Sequence, residues 1–261
     1  MPDSWNEALR KAARRLEQAG VETPVRDARA LLIWAEEIDT AALIAQPEVP
    51  VRNPERFADA VARREQREPV SKIIGMRQFW KHNFHVTPDV LDPRPDTETL
   101  VTAALDAANA FDAPRILDMG TGSGCILLSL LTDLPAANGV GTDISEAALA
   151  VAKQNATCLN LSERANFIRS DWFEKLDGTF DLVVCNPPYI SETEKAALSP
   201  EVSRWDPEAA LFAGMDGLQA YRRILDGLQA VLEKPGIGVE AMNRITIAAS
   251  KELRGIDGVN N

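Results

Sequence analysis

The sequence RILDMGTGSG, residues 115–124, decides the fold of this protein. Its first half is a short apolar run of the kind that forms a buried strand. Its second half holds three glycines, which permit a tight turn and let the backbone approach a ligand closely. We predict that this turn opens a helix. The N-terminus of a helix beside such a turn favours a bound anion.

Strand-like runs recur on the C-terminal side of this turn. They are NGVGTDI (138–144), ANFIRS (165–170) and DLVVC (181–185). Segments of helical period, such as residues 147–155, lie between them, and this alternation is the signature of a doubly wound, mostly parallel α/β sheet. Further along we expect a fifth strand near residues 238–240 and a helix from Ile245 to Leu253.

The N-terminal region has a different pattern. Ser4 and Glu7 have the spacing of a helix capping box, and apolar residues then recur at helical period. We predict a small helical bundle domain for residues 1–75, a hairpin or linker for residues 76–92 and the α/β domain for residues 93–261.

Charge is distributed unevenly along the 261 residues. The net charge of −11 divides into −1 for residues 1–75 (12 Lys and Arg, 13 Asp and Glu) and −10 for residues 76–261 (16 and 26). The acidic part should repel phosphates, so we expect no direct nucleic-acid partner. No stretch reaches about 18 consecutive apolar residues, so we expect no membrane-spanning helix.

The cysteines and histidines indicate the compartment and argue against a metal. Cys125, Cys158 and Cys185 are odd in number and form no Cys-x-x-Cys pair, which favours reduced thiols and a cytoplasmic location over disulfides or structural zinc. His82 and His85 are three positions apart in a predicted strand and face opposite sides, so we expect no metal ion between them.

An acidic residue before the glycine-rich turn indicates which ligand the turn binds. Dehydrogenases use a similar turn for dinucleotides, but with GxGxxG spacing, whereas here the spacing is GxGxG after Asp118. A carboxylate there would repel a pyrophosphate and suits an ammonium group, such as that of the methionine part of S-adenosylmethionine. The candidate cofactor-binding residues of this segment are Asp118, Gly120, Thr121, Gly122 and Gly124.

Later strand ends supply candidates for binding the nucleoside part. Asp143 ends the second strand, where a carboxylate can accept hydrogen bonds from both ribose hydroxyls, although the same position can also cap the next helix. Asp171 and Trp172 follow the third strand. We predict that they contact the adenine amino group and ring, although an aromatic residue here is equally typical of core packing.

Asn186-Pro187-Pro188-Tyr189 directly follows the fourth strand, at the edge where open α/β sheets bind ligands. A planar NH2 group is a poor nucleophile; the Asn186 side-chain oxygen and the Pro187 carbonyl can hold its hydrogens while its nitrogen faces a methyl donor. Tyr189 can pack on the flat face of the substrate. We predict Asn186, Pro187 and Tyr189 as catalytic, all four residues as substrate-binding, and Asn186 also as cofactor-binding. The alternative is a strand-ending proline turn.

Together these motifs resemble the HemK/PrmC family, the N5-glutamine methyltransferases of peptide chain release factors. LDPRPDTE (91–98), DMGTGSG (118–124) and NPPYI (186–190) are similar to segments of that family, as is the stretch from Val202 through Asp206 to Arg222. The resemblance implies a class I, Rossmann-like methyltransferase sheet behind a helical substrate-docking domain. It also implies S-adenosylmethionine as methyl donor, S-adenosylhomocysteine as product, and the glutamine of the release-factor Gly-Gly-Gln motif as acceptor.

Three other functions stay open on the sequence alone. The nearest is another methyltransferase of the NPPY type, acting on a ribosomal-protein glutamine or on a nucleic-acid base amino group. A nicotinamide-dependent oxidoreductase and a non-catalytic binding module can share the same sheet. Asp118 and the NPPY tetrapeptide favour the methyltransferase, with release factors as protein partners and no metal cofactor.

Overall fold

The computed structural model of the protein describes residues 3–232 and 245–247. Within them the chain divides into two units: a helical unit, which holds the residues up to Gly75 together with Ser199–Trp205, and an α/β unit, which holds the rest. By sequence pattern, residues 199–205 belong to the α/β domain. In the structure this segment groups with the helical unit, because Glu201 accepts hydrogen bonds from Arg67 at 2.6 and 2.8 Å and from Arg64 at 3.0 Å.

Five helices make up the N-terminal part of the helical unit. They are α1 (Trp5–Gln18), α2 (Pro24–Glu36), α3 (Thr40–Ala45), α4 (Pro54–Glu65) and α5 (Val70–Ile74). The predicted capping box is confirmed, since the Glu7 amide donates to the Ser4 hydroxyl at 3.3 Å and the Ser4 amide donates to the Glu7 carboxylate at 3.1 Å. The apolar helix faces enclose one core, in which Leu16, Leu31 and Leu32 are fully buried.

The α/β unit begins with a two-stranded antiparallel hairpin, β1 (Met76–Phe79) and β2 (His82–His85). A 3-10 helix (Pro95–Thr97) and α6 (Glu98–Ala108) come next. The rest of the chain follows in the order β3 (Arg115–Met119), α7 (Cys125–Asp133), β4 (Asn138–Asp143), α8 (Glu146–Cys158), β5 (Ala165–Arg169), β6 (Leu182–Cys185), a 3-10 helix (Glu192–Ala197), α9 (Pro200–Ser203), α10 (Glu208–Leu211), α11 (Gln219–Leu232) and β7 (Ile245–Ile247).

Strands β3 to β7 form one parallel sheet in the order β5-β4-β3-β6-β7. This confirms the doubly wound parallel sheet predicted from the alternating pattern. The chain runs outward from β3 to β5 and then crosses to the other side of β3 for β6. Such a reversal leaves a crevice outside the carboxyl ends of the strands, where open α/β sheets bind ligands.

Apolar layers cover both faces of the sheet. On one face Ile116 of β3 packs with Leu127 of α7, and on the other Leu117 and Met119 pack with Ile224 of α11. All five side chains are at most 1% exposed. Because β3 is buried on both faces, the turn that follows it starts from a rigid support.

The C-terminal part of the chain differs from the helix predicted there. Ile245–Ile247 is a strand that pairs in parallel with β6, with Ile245 opposite Val183 and Ile247 opposite Cys185. The helix prediction is therefore wrong for these three residues, because β-branched Ile-Thr-Ile suits the open edge of β6 better than a helix. The fifth strand predicted near residues 238–240 lies outside the described residues.

Glu36, at the end of α2, is a buried carboxylate that joins three segments of the helical unit. It accepts hydrogen bonds from the Trp5 indole at 2.9 Å, the Arg52 amide at 3.0 Å and the Asn53 amide at 2.7 Å. Burial raises the pKa of this carboxyl group, but the hydrogen bonds outweigh burial and hold the pKa of Glu36 below its ordinary value of 4.5. Glu36 therefore stabilises the bundle as an anion.

Replacing Glu36 by glutamine should lower the free energy of unfolding by about 1–3 kcal/mol, because the new NH2 group faces donors and leaves them unsatisfied. The folded-state pKa lies below the unfolded one. The wild-type stabilisation is therefore complete above the unfolded pKa and is lost as pH falls through the folded pKa. Urea unfolding at neutral pH and at a pH of about 3 measures the difference between the two proteins, which should shrink at the lower pH.

Glu37→Gln is the matched control for this prediction. The Glu37 carboxylate is exposed and pairs with Arg56 at the surface. The substitution should change the unfolding free energy by less than about 1 kcal/mol. An equal loss of unfolding free energy in Glu36→Gln and Glu37→Gln would contradict a special role for the buried carboxylate.

Candidate functional site

The glycine-rich turn between β3 and α7 is held by backbone hydrogen bonds. The Thr121 amide donates to the Thr142 carbonyl of β4 at 2.8 Å, and the Gly124 amide donates to the Thr121 carbonyl at 2.8 Å. Gly120, Gly122 and Gly124 all have positive φ. A Cβ at Gly120 or Gly122 would meet nothing within 4 Å, so backbone conformation and not crowding requires glycine at these two positions.

Asp143, at the end of β4, is bound to the same turn. One of its carboxylate oxygens accepts from the Gly122 amide at 3.0 Å and the other accepts from the Ser145 amide at 2.9 Å. The cap of α8 is the Ser145 hydroxyl, which accepts from the Ala148 amide at 3.2 Å. Each Asp143 oxygen accepts one of these bonds and keeps further acceptor capacity on the cavity that this residue lines.

Asp118 lies behind the turn and not in the cavity wall. Its side chain is fully buried, and one oxygen accepts from the Thr121 hydroxyl at 2.7 Å. The other oxygen has no hydrogen-bonding partner among the described residues. Burial raises the pKa of this carboxyl group to about 7. Within the turn, the direct contact of Asp118 is with Thr121, and a contact with a cofactor ammonium group stays a prediction.

The turn after β5 places Asp171 and Trp172 at the cavity. Trp172 has the left-handed φ of 52°, and the Ser170 hydroxyl donates to its carbonyl at 3.0 Å and accepts from the Lys175 amide at 3.1 Å. The Asp171 carboxylate accepts from the Arg223 guanidinium of α11 at 2.7 Å. Trp172 lines the cavity and also packs against the core of the sheet, so cavity lining and core packing coexist in one side chain.

The NPPY tetrapeptide follows β6 at the same edge of the sheet. Asn186 and Pro188 line the cavity, whereas Pro187 is buried and Tyr189 is half-buried outside the cavity wall. The Asn186 residue is partly exposed and lines the cavity, so its side-chain oxygen and NH2 group can contact a ligand there.

A second loop anchors the segment that follows the tetrapeptide. The Ile190 amide donates to the Leu211 carbonyl at 3.0 Å, and the Ala213 amide donates to the Ile190 carbonyl at 3.0 Å. Gly217 has a φ of 72°, and a Cβ at this position would collide with the Tyr189 carbonyl oxygen. Glycine therefore lets the second loop close against the NPPY segment.

These loops surround a cavity of about 280 Å³ at the carboxyl edge of the sheet. Its wall contains most of the residues predicted from sequence: Gly120, Thr121, Gly122, Asp143, Asp171, Trp172, Asn186 and Pro188. The predicted residues outside its wall are Asp118, Gly124, Pro187 and Tyr189. The fold thus brings the candidate cofactor turn and the candidate acceptor segment to one place.

The cavity wall also holds residues to which sequence patterns assigned no role. Arg94 donates to the buried Asp206 carboxylate at 2.6 Å, and Asp206 also accepts from the Asp92 amide at 3.1 Å. Ile144, directly after Asp143, lines the cavity with a side chain that is 55% exposed. Arg94 and Asp206 lie in segments that resemble the HemK/PrmC family, and this resemblance is the sequence feature that points to them. No sequence feature points to Ile144.

The described residues show neither a metal cluster nor a membrane helix. No group of three or more His, Cys, Asp or Glu side chains among them is placed to hold a metal ion. Cys125, Cys158 and Cys185 are free thiols. Within the same part of the chain, no helix is long and apolar enough to cross a membrane.

Two family models match the chain. A model of the PrmC N-terminal domain matches residues 7–75, and a model of the methyltransferase small domain matches residues 94–201. The first match lies in the helical unit. The second contains the glycine-rich turn, Asp143 and the NPPY tetrapeptide.

Curated relatives match over most of their length. Release factor glutamine methyltransferase from Cereibacter sphaeroides is 49% identical over 233 residues, which are 88% of this chain and 82% of the relative. The proteins of the same name from Rhodospirillum rubrum and Moorella thermoacetica are 48% and 41% identical, over 88% of this chain and over 71% and 82% of their own lengths.

A solved structure is similar to this chain in fold. The hMettl16 catalytic domain, in complex with MAT2A 3′UTR hairpin 6, has a TM-score of 0.50 at 21% identity and covers 66% of this chain and 64% of its own. At this identity the likeness concerns the fold alone. The family follows from the sequence relatives: this chain belongs to the release factor glutamine methyltransferase (PrmC) family.

Proposed function

We propose that this protein transfers a methyl group from S-adenosylmethionine to the side-chain amide nitrogen of the glutamine in the Gly-Gly-Gln motif of peptide chain release factors. The observation that carries the proposal is the presence of the glycine-rich turn, Asp143 and Asn186 in the wall of one cavity. Relatives named release factor glutamine methyltransferase, at 41% to 49% identity, support this choice of acceptor.

The cavity residues fit S-adenosylmethionine part by part. Trp172 and the exposed Ile144 offer apolar surface to adenine, Asp171 offers an acceptor to its amino group, and Asp143 offers acceptors to the ribose hydroxyls. Ser123 lines the cavity with a buried hydroxyl that has no hydrogen-bonding partner among the described residues. This hydroxyl and the N-terminus of α7 suit the methionine carboxylate.

The chain itself has to hold a weakly nucleophilic amide nitrogen in line with the donor. Bound S-adenosylmethionine supplies an electrophilic methyl group. The Asn186 side-chain oxygen accepts a hydrogen bond from one N–H of the acceptor amide, and the Pro187 carbonyl accepts from the other. The same two oxygens stabilise the positive charge that develops on the nitrogen as the methyl–sulfur bond breaks, and the nitrogen then releases one proton to solvent. Tyr189 packs on the flat face of the acceptor group.

The helical unit is proposed to dock the protein substrate. Its match to the PrmC N-terminal domain supports this role, and it carries none of the cofactor motifs. The net charge of −10 on residues 76–261 favours a protein acceptor over a free nucleic acid. Release factors as partners and a cytoplasmic location remain part of the proposal.

Asp143→Ala should weaken the binding of S-adenosylmethionine by about 1–3 kcal/mol, because it leaves the Gly122 amide and the ribose hydroxyls without their acceptor. Isothermal titration calorimetry measures the effect. Asp112→Ala removes an exposed carboxylate outside the cavity wall and should leave the affinity unchanged. Tight binding of NAD by the wild type, or unchanged affinity in Asp143→Ala, would contradict the site assignment.

Asn186→Ala should reduce methyl transfer by about 100- to 1000-fold, by analogy with the loss of one preorganised hydrogen bond at a reacting atom. Cofactor affinity should stay nearly unchanged, because Asn186 acts mainly on the acceptor nitrogen. Asn186→Asp keeps the shape and one acceptor oxygen but loses the NH2 group, and it should also be badly impaired. Single-turnover methylation of a release factor, followed by mass spectrometry of the Gly-Gly-Gln peptide, measures the rate and locates the methyl group.

Asn138→Ala is the control for this pair, since Asn138 is an exposed residue at the opposite, amino end of β4. It should methylate at the wild-type rate. Wild-type turnover in Asn186→Ala would show that the tetrapeptide is only a structural turn. A methyl group found on a nucleic-acid base and not on the glutamine would select the alternative substrate class.

A chain that starts at residue 76 should keep its affinity for S-adenosylmethionine but lose methylation of an intact release factor, because the five N-terminal helices of the docking unit are absent. A short free peptide with the Gly-Gly-Gln sequence is the control substrate. Full-length and shortened enzymes should methylate it at similar rates. If the shortened enzyme methylated the intact factor at the full rate, the helical unit would have no docking role.

A further inference from the structure

We propose that Asn155 is a positioning residue for the cofactor cavity, an inference that rests on the proposed function. Asn155 lies in α8, its side chain is 1% exposed, and it is not part of the cavity wall. Its amide hydrogen-bonds the backbone of two segments that are distant in sequence. The unpaired polar groups left by its loss would be costly in so buried a place.

The first segment is the end of the hairpin. The Asn155 Oδ1 accepts from the His85 amide at 2.7 Å, and the Asn155 Nδ2 donates to the His85 carbonyl at 3.0 Å. One side-chain amide thus pairs with both backbone groups of one residue. This pairing fixes both the position and the orientation of the last residue of β2 relative to α8.

The second segment is the glycine-rich turn. The Asn155 Nδ2 also donates to the Ser123 carbonyl at 2.9 Å. Ser123 lies between Gly122 and Gly124, which have positive φ and no side chain to pack. The bond from Asn155 therefore adds a side-chain support from α8 to a turn that is otherwise held by backbone hydrogen bonds and by Asp143.

The chain that leaves the hairpin forms another part of the cavity wall. Asp89, Val90 and Leu91 line the cavity, as the glycine-rich turn does. Val86 and Val90 pack in one buried cluster with Ala148 and Val151 of α8. Helix α8 thus supports both parts of the wall, and Asn155 is the side chain that bonds to the backbone on both sides.

The spacing of these two wall segments determines whether they can contact one ligand at the same time. The three hydrogen bonds of the Asn155 side chain go to His85 and Ser123, and none goes to the NPPY tetrapeptide. Its loss should therefore act on cofactor binding and not on the chemical step. The kinetic signature is a higher KM for S-adenosylmethionine at a nearly constant kcat.

Asn155→Asp is the sharpest variant, because it keeps the shape and the acceptor for the His85 amide. Its second oxygen faces the carbonyls of His85 and Ser123, so the Kd for S-adenosylmethionine should rise about 10-fold or more. A protonated aspartic acid can donate to one of these carbonyls. The ratio of variant to wild-type Kd should therefore fall as pH is lowered, and urea unfolding at the same pH values separates this effect from a change in stability.

Leu161→Ala is the matched control, since Leu161 is a buried core residue of the same unit and is absent from the cavity wall. It should lower the Tm but leave the Kd for S-adenosylmethionine within about twofold of the wild type. If the wild type binds S-adenosylmethionine and Asn155→Asp binds it equally well at every pH, the inference is wrong and the proposed function stands. If the wild type does not bind it, the proposed function itself fails.

A measurement on the wild type tests the inference even if no Asn155 variant folds. Hydrogen exchange at the His85 amide should slow when S-adenosylhomocysteine is added, although His85 is not part of the cavity wall. The Ala42 amide, which is capped by Asp39 in the helical unit, is the reference and should not change. Unchanged exchange at His85 on saturation would overturn the proposal.

Discussion

The conformation of the glycine-rich turn after β3 is the constraint on which the rest of the site depends. The turn needs positive φ at Gly120, Gly122 and Gly124, a conformation that glycine adopts without steric cost. Hydrogen bonds from two neighbouring elements then hold its shape. Strand β4 contributes the Thr142 carbonyl and the Asp143 carboxylate, and α8 contributes the side-chain amide of Asn155. A locally permissive segment thus takes a defined shape only when the sheet and its helices are assembled around it.

The cavity wall carries charges of both signs: Asp89, Asp143 and Asp171 are acidic, and Arg94 and Arg223 are basic. Asp143 lies in the wall, Asp118 lies behind the turn, and the Asp171 carboxylate accepts from a single arginine, Arg223. Burial raises the pKa of the Asp118 carboxyl group to about 7. In the function we propose, the sulfonium and ammonium groups of S-adenosylmethionine suit these carboxylates better than the phosphates of a dinucleotide do.

Between the NPPY tetrapeptide and Asp206, a segment of the chain belongs to a different unit from the residues on either side of it in sequence. Residues 199–205 group with the helical unit, where Arg64 pairs with both Asp27 at 2.8 Å and Glu201 at 3.0 Å. The Arg64 side chain is 7% exposed. Removal of Asp27 or Glu201 would therefore leave the buried guanidinium charge paired with one carboxylate in place of two. Asp206, the next residue after this segment, belongs to the α/β unit and holds Arg94.

The sequence by itself determined the class of sheet, the capping box of α1, the position of the glycine-rich turn and the NPPY segment, because each depends on residues close together in the chain. Tertiary structure alone decided that Asp118 lies behind the turn, that Arg94 pairs with Asp206, and that the buried amide of Asn155 joins the hairpin to the turn. It also decided that Ile245–Ile247 is a strand and not a helix. These features require partners that are far away in sequence, and local propensity carries no information about such partners.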